Sequence, residues 1–247
     1  MRTTLTIAAA TLVLMLATAT ASADMIMFLD DASTVGIDLI IIDDVDGGVG
    51  DSTVLGNATT ADGNAGDGIV SFNGTVGTFT VQITVGTSKP ILGNQWEAIL
   101  DLFSLSISGG AGEITVGISD TDYELDFPTG NMTNLILSLG GTTRGEVSAV
   151  AGVDFDNQNF AADYIIASPT FDGASNGGAF AWSDSTAVVY EDPFSLSLAV
   201  TVARDGAGSS AVDAELSLHV PEPGTLALLG VALVGAAVLN RRRRNNG

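Results

Sequence analysis

The sequence predicts an all-β fold, an antiparallel β-sandwich of jelly-roll or immunoglobulin-like kind, on three observations. Apolar residues recur at period two through most of residues 24–220. Gly- and Ser-rich turns separate these runs, and no long window between the two chain ends shows a 3.6-residue apolar repeat. Strands that are apolar on one face need a second layer, which two packed sheets supply; a single closed barrel is the alternative.

Residues 1–23 read as a signal peptide. Arg2 supplies a positive start, Leu5 to Leu16 form a mostly apolar run, and Ala21, Ser22 and Ala23 give the small-x-small pattern that signal peptidase requires. The run is shorter than the roughly 20 apolar residues of a spanning helix, so cleavage is expected, leaving Asp24 as the mature N-terminus.

Residues 24–220 form the expected ectodomain. All 29 acidic residues except Glu222 lie there, against Lys89, Arg144 and Arg204 as the only bases. Such a surface repels phosphate backbones, which excludes nucleic acid as a partner, and it attracts divalent cations. The chain has no cysteine, so disulfides, thiol nucleophiles and thiolate metal sites are excluded and packing must supply the stability.

The strands follow in order. In TVGTFTVQITVG, Phe79, Val81, Ile83 and Val85 share one face and Thr78, Thr80, Gln82 and Thr84 the other. In LFSLSIS, Phe103, Leu105 and Ile107 alternate with serines; in EITVGIS, Ile114, Val116 and Ile118 alternate with small or polar residues. The intervening GGAG reads as a hairpin turn. The segment PFSLSLAVTVARDGAGSSAVDAELSLHV repeats the device. Phe194, Leu196, Leu198, Val200 and Val202 share one face, DGAGS turns, and Val212, Ala214, Leu216 and Leu218 share another, with Asp213, Glu215, Ser217 and His219 pointing the opposite way.

Two acidic stretches stand out. Asp43 to Gly68 is rich in Asp, Gly and Asn and reads as a long loop or edge excursion; Asp43, Asp44, Asp46 and Asp51 are its candidate calcium ligands, although the spacing fits neither an EF-hand nor a β-roll. In SDTDYELDFP, Asp120, Asp122, Glu124 and Asp126 fall at period two, so an extended strand would align all four carboxylates on one face, either simply solvated or holding a cation or a carbohydrate. Catalytic signals are thin. His219 is the lone histidine and has no GxSxG-type serine to serve, and Trp96 and Trp182 read as packing residues before they read as sugar platforms.

The chain closes with VPEPGTLALLGVALVGAAVLNRRRRNNG. Pro221, Glu222 and Pro223 make an extended joint, residues 225–239 are apolar and uncharged, and Arg241, Arg242, Arg243 and Arg244 mark the cytoplasmic side. This order of a PEP tripeptide, a short transmembrane helix and an arginine cluster, over residues 221–244, closely resembles the PEP-CTERM sorting signal of exported proteins of Gram-negative bacteria. The resemblance implies an exosortase as partner, acting near Pro221, Glu222 and Pro223. It further implies an inner-membrane intermediate with a periplasmic ectodomain, and a destination at the cell surface or in an exopolysaccharide matrix. The residues therefore lead to a non-enzymatic, structural or adhesive surface protein without a cofactor. A carbohydrate-binding module or glycan-active enzyme using the acidic residues is the alternative.

Overall fold

The computed structural model describes residues 25–43, 52–55, 67–89, 92–173 and 178–220. Fourteen strands and no helix occur among them: β1 (Ile26–Asp31), β2 (Leu39–Ile42), β3 (Ser52–Leu55), β4 (Ile69–Val76), β5 (Phe79–Thr87), β6 (Glu97–Gly109), β7 (Gly112–Tyr123), β8 (Met132–Thr143), β9 (Glu146–Asp154), β10 (Tyr164–Ala167), β11 (Phe171–Asp172), β12 (Ala179–Val189), β13 (Phe194–Arg204) and β14 (Gly208–His219). They build two antiparallel sheets. One is eight-stranded, in the order β10-β9-β13-β7-β1-β2-β3 with β11 also on β9; the other is six-stranded, in the order β12-β8-β14-β6-β5-β4.

The period-two alternation of the sequence is what brings the sheets together. Leu196, Leu198, Val200 and Val202 of β13 and Ile114, Val116 and Ile118 of β7 are buried in one cluster with Leu100, Leu102, Leu105 and Ile107 of β6 and Val212, Ala214, Leu216 and Leu218 of β14. Each fully buried Leu, Ile or Val contributes about 1.5–3 kcal/mol, so this core carries the stability that no disulfide can supply. The acidic excursion after Asp43 contributes β3, at the edge of the eight-stranded sheet.

The turns behave differently from the hairpins expected of them. Strands β6 and β7, joined by Gly110 and Ala111, lie in different sheets, as do β13 and β14, joined across Asp205, Gly206 and Ala207. The pair β8 and β9, joined by Arg144 and Gly145, does the same. All three are arches. A strand apolar on one face satisfies its pattern equally well beside its neighbour in a sheet or face to face with it across the core, so alternation alone does not separate hairpin from arch. Close backbone approach fixes the arch here: a Cβ on Gly109 (φ 147°) would lie 2.5 Å from the Thr78 carbonyl oxygen, and one on Gly145 would lie 2.2 Å from that of Ala203.

The arches stack. The order β9-β13-β7 in one sheet matches β8-β14-β6 in the other, so all three turns close the same end of the molecule. Arg204 plugs that end at 6% exposure, donating from Nη2 to Ile107 O (2.6 Å) and Ser210 Oγ (3.0 Å) and from Nη1 to Gly208 O (3.1 Å). Its guanidinium lies 5.9 Å from the centre of the Phe79 ring, and burial lowers its pKa. The opposite end is filled by aromatic rings: Tyr123, Tyr190 and Phe155 each pack on Phe194, at centroid separations of 5.5, 5.8 and 6.1 Å. Both β1 and β14 have their outer termini here, so Met25 and Val220 leave from this second end.

Candidate functional site

Strands β6 and β14 pair in regular register except at one point. Val212 faces Leu105 while Ala214 faces Leu102, so Phe103 and Ser104 together oppose Asp213 alone. This is a β-bulge, which bends the strand and re-aims a side chain. Ser104 adopts a φ of 54°, and its N–H donates to Asp213 Oδ1 at 2.7 Å. The Phe103 ring is turned outward and is 52% exposed. The sequence placed Phe103 on the apolar face with Leu105 and Ile107; the bulge overrides that phase.

The ring stands in a shallow trough of about 730 Å³ on the outer face of the six-stranded sheet, walled by β6, β14, β8 and β12. Asp101 and Glu215 are direct cross-strand partners within it. Asp213 faces Gly140, which adds no side chain to the floor, and across the trough the Ser138 and Ser183 hydroxyls lie 3.1 Å apart. Burial, followed by the Glu215 and Asp213 carboxylates, pushes the Asp101 carboxyl up to about 6. Glu215 is raised by burial and then by Glu97. A carboxyl group that keeps its proton can donate as well as accept hydrogen bonds, and an exposed ring offers an apolar face beside it. That combination suits a hydroxyl-rich ligand, with C–H groups over Phe103 and hydroxyls on the carboxyl groups.

The residues singled out from sequence are dispersed. Asp43 is buried and accepts from the Gly68 N–H at 2.7 Å, whereas Asp44, Asp46 and Asp51 lie outside the described residues. Asp120, Asp122, Glu124 and Asp126 do not share a face. A second bulge, where Phe194 faces Tyr123 but Leu196 faces Asp120, breaks the alternation, and Asp122 takes a φ of 58°. Asp120, before the bulge, keeps the inward phase of Ile114, Val116 and Ile118 and is 2% exposed, Asp122 within it bonds the loop after β9 through Asn157 Nδ2 (2.6 Å), and Glu124 and Asp126 are exposed beyond the strand. Among the described residues, no three His, Cys, Asp or Glu side chains are grouped to hold a metal ion. Trp96 and Trp182 are part-buried and pack against the core. Ala21, Ala23, Pro221, Glu222, Pro223 and Arg241 to Arg244 lie outside the described residues.

The end of β14 is firmly held. The Thr133 hydroxyl donates to His219 O at 2.5 Å, the Val220 N–H donates to Trp96 O at 3.1 Å, and His219 Nδ1 lies 3.5 Å from Glu97 Oε1. From this point the family model of the PEP-CTERM protein-sorting motif matches residues 219–244. The chain carries a PEP-CTERM tail. A PEP-CTERM tail implies a protein that is exported, processed by an exosortase and sorted to the cell surface. The motif overlaps the last strand by one residue, so the PEP-CTERM signal begins where the folded sheet ends.

No curated protein matches the chain. Among solved structures it is similar to the enzymatically active domain of bacteriophage CBA120 tailspike protein 4, with 12% identity and a TM-score of 0.27, over 57% of this chain and 20% of that one.

Proposed function

We propose that the protein is a non-catalytic structural or adhesive element of the cell surface or extracellular matrix, with its two sheets forming a β-sandwich ectodomain. The observation that carries this reading is the direct junction between β14 and the sorting motif: Val220 is buried and hydrogen-bonded, and Pro221 follows without a linker. In this reading residues 1–23 direct export and are removed after Ala23. Residues 225–239 halt translocation as a short transmembrane helix, and Arg241 to Arg244 hold the cytoplasmic side. The exosortase then acts near Pro221, Glu222 and Pro223, releasing the ectodomain from the inner membrane to a surface rich in exopolysaccharide.

Intact-mass analysis of the protein from an exosortase-bearing host tests this. The expected mature species starts at Asp24 and ends close to Val220. A mature species still carrying Leu226 to Arg244 overturns the sorting reading.

A second reading, a carbohydrate-binding module or glycan-active enzyme, is favoured by one feature, the exposed Phe103 ring beside Asp101 and Glu215. Glycan-array binding that is lost in Phe103→Ala, with the fold retained, supports it. The structural reading expects no such binding.

A further inference from the structure

At the end from which both termini leave, the segment after β5 meets β7 across the two sheets. Lys89 Nζ lies 3.1 Å from Asp120 Oδ2 and also donates to the Thr121 carbonyl oxygen. Ser88, fully buried, donates its hydroxyl to the same Oδ2. The other carboxyl oxygen, Oδ1, accepts the Thr121 N–H at 2.8 Å. Lys89 Nζ stands 4.4 Å from the centre of the Tyr123 ring, which is itself 4% exposed and stacked on Phe194. A lysine and an aspartate are thus held against each other, the acid at 2% exposure, with the two carboxyl oxygens addressed by different groups.

We infer that Lys89 and Asp120 condense to an isopeptide bond that staples the two sheets together. The chemistry needs an uncharged amine and an uncharged acid. The pair reaches that state when one proton passes along its contact from the nitrogen to the carboxylate, whose burial disfavours its charged form. Burial raises the Asp120 carboxyl in this direction, against the opposing pull of Lys89 and its hydrogen-bond donors. The Lys89 nitrogen then attacks Asp120 Cγ, and the developing negative charge falls on Oδ1, where the Thr121 N–H already points. The Cγ–Oδ2 bond breaks as the Nζ–Cγ bond forms. Oδ2 leaves as water, carrying the acid proton and one from the nitrogen, and Ser88 Oγ relays the transfer. No oxidant or co-reactant enters, and the product is one amide and one water. The 3.1 Å contact of Nζ with Oδ2 holds the nitrogen beside the carboxyl group it attacks, so the two react as an intramolecular pair.

The bond would give this cysteine-free protein a covalent link of the kind disulfides give others. Its location adds to the case: β7 pairs with β1 and β5 pairs with β6, which in turn pairs with β14, so the link ties the sheets one strand from β1 and two from β14 at the end where both leave.

The test is peptide mapping of the full-length protein after denaturation and chymotryptic digestion. The expected result is a branched peptide joining the segments of Lys89 and Asp120, lighter by one water than the sum of its parts and absent from Lys89→Arg and Asp120→Ala. Should either variant fail to fold, the wild-type digest decides alone. Recovery of the two segments only as linear peptides, with Lys89 freely acylated in the denatured chain, overturns the inference.

Discussion

The bulge at Ser104 makes a prediction that separates the structure from the simple alternation of the sequence. Leu105 is fully buried and Phe103 is half-exposed, although the two side chains sit at the same phase of LFSLSIS. Leu105→Ala removes core packing and leaves a cavity, a change that costs about 2–5 kcal/mol. Phe103→Ala removes a ring that is already half in water and leaves the core intact, so it should cost under about 1 kcal/mol. Had strict alternation held, Phe103 would lie in the core and its truncation would cost about 3–5 kcal/mol. Urea unfolding of the two variants and wild type, compared at equal slope, reads the difference directly. A Phe103→Ala loss as large as that of Leu105→Ala would mean that the ring is buried and that the trough lacks its apolar wall.

Asp101 supplies a pH signature. Its folded-state pKa of about 6 lies above its ordinary 3.8, so the folded state holds the proton more tightly. The resulting stabilisation is full below pH 3.8 and is lost as pH rises through about 6; Asp101→Asn should therefore be more stable than wild type at pH 7, with the advantage shrinking toward pH 4. An unchanged gap between the two across that window would count against the raised pKa. At the arch end, Gly109→Ala places a Cβ 2.5 Å from the Thr78 carbonyl oxygen at a φ of 147°, and should cost more than about 1 kcal/mol in the same unfolding assay. In the tail, Glu222→Ala with Pro223→Ala should accumulate a full-length, membrane-retained precursor on fractionation. Neutral residues at Arg241 to Arg244 should instead weaken the translocation stop.

Individual strands were legible because burial on one face writes itself into sequence at period two. The cores of β13 from Phe194 to Val202, of β14 from Val212 to Leu218 and of β7 from Ile114 to Ile118 follow the alternation. What joins the strands was not legible, since a hairpin and an arch demand the same apolar pattern from the strands they connect. One irregularity was in fact visible: in AILDLFSLSI the buried leucines fall at 100 and 102 and then at 105, a spacing of three that marks a phase change and locates the bulge. The trough could not be read from any one strand. Asp101 and Glu215 stand 114 positions apart in number and become neighbours only through the pairing of β6 with β14. The acids at 120, 122, 124 and 126 failed as a single face for a related reason: Asp120 continues the core face of Ile118, and the extra residue that follows it in β7 turns Asp122 to the loop after β9.

The placement of the chain ends constrains how such a domain is held. Val220 is the end of β14, and β14 lies between β8 and β6, paired with both along most of its length. A pull on the sorting tail acts along the strand axis, so the ladder hydrogen bonds on both sides are loaded together in shear rather than opened one at a time from an edge. The eight-stranded sheet receives no direct load from the tail; it is coupled through the three arches at the far end, through the shared core, and at the near end through the β7–β8 and β12–β13 connections and the contact of Lys89 with Asp120. The arches bind the sheets at the opposite end, and the core resists separation only while it stays dry. A covalent link between Lys89 and Asp120 would reinforce the connections at the end where the tail departs.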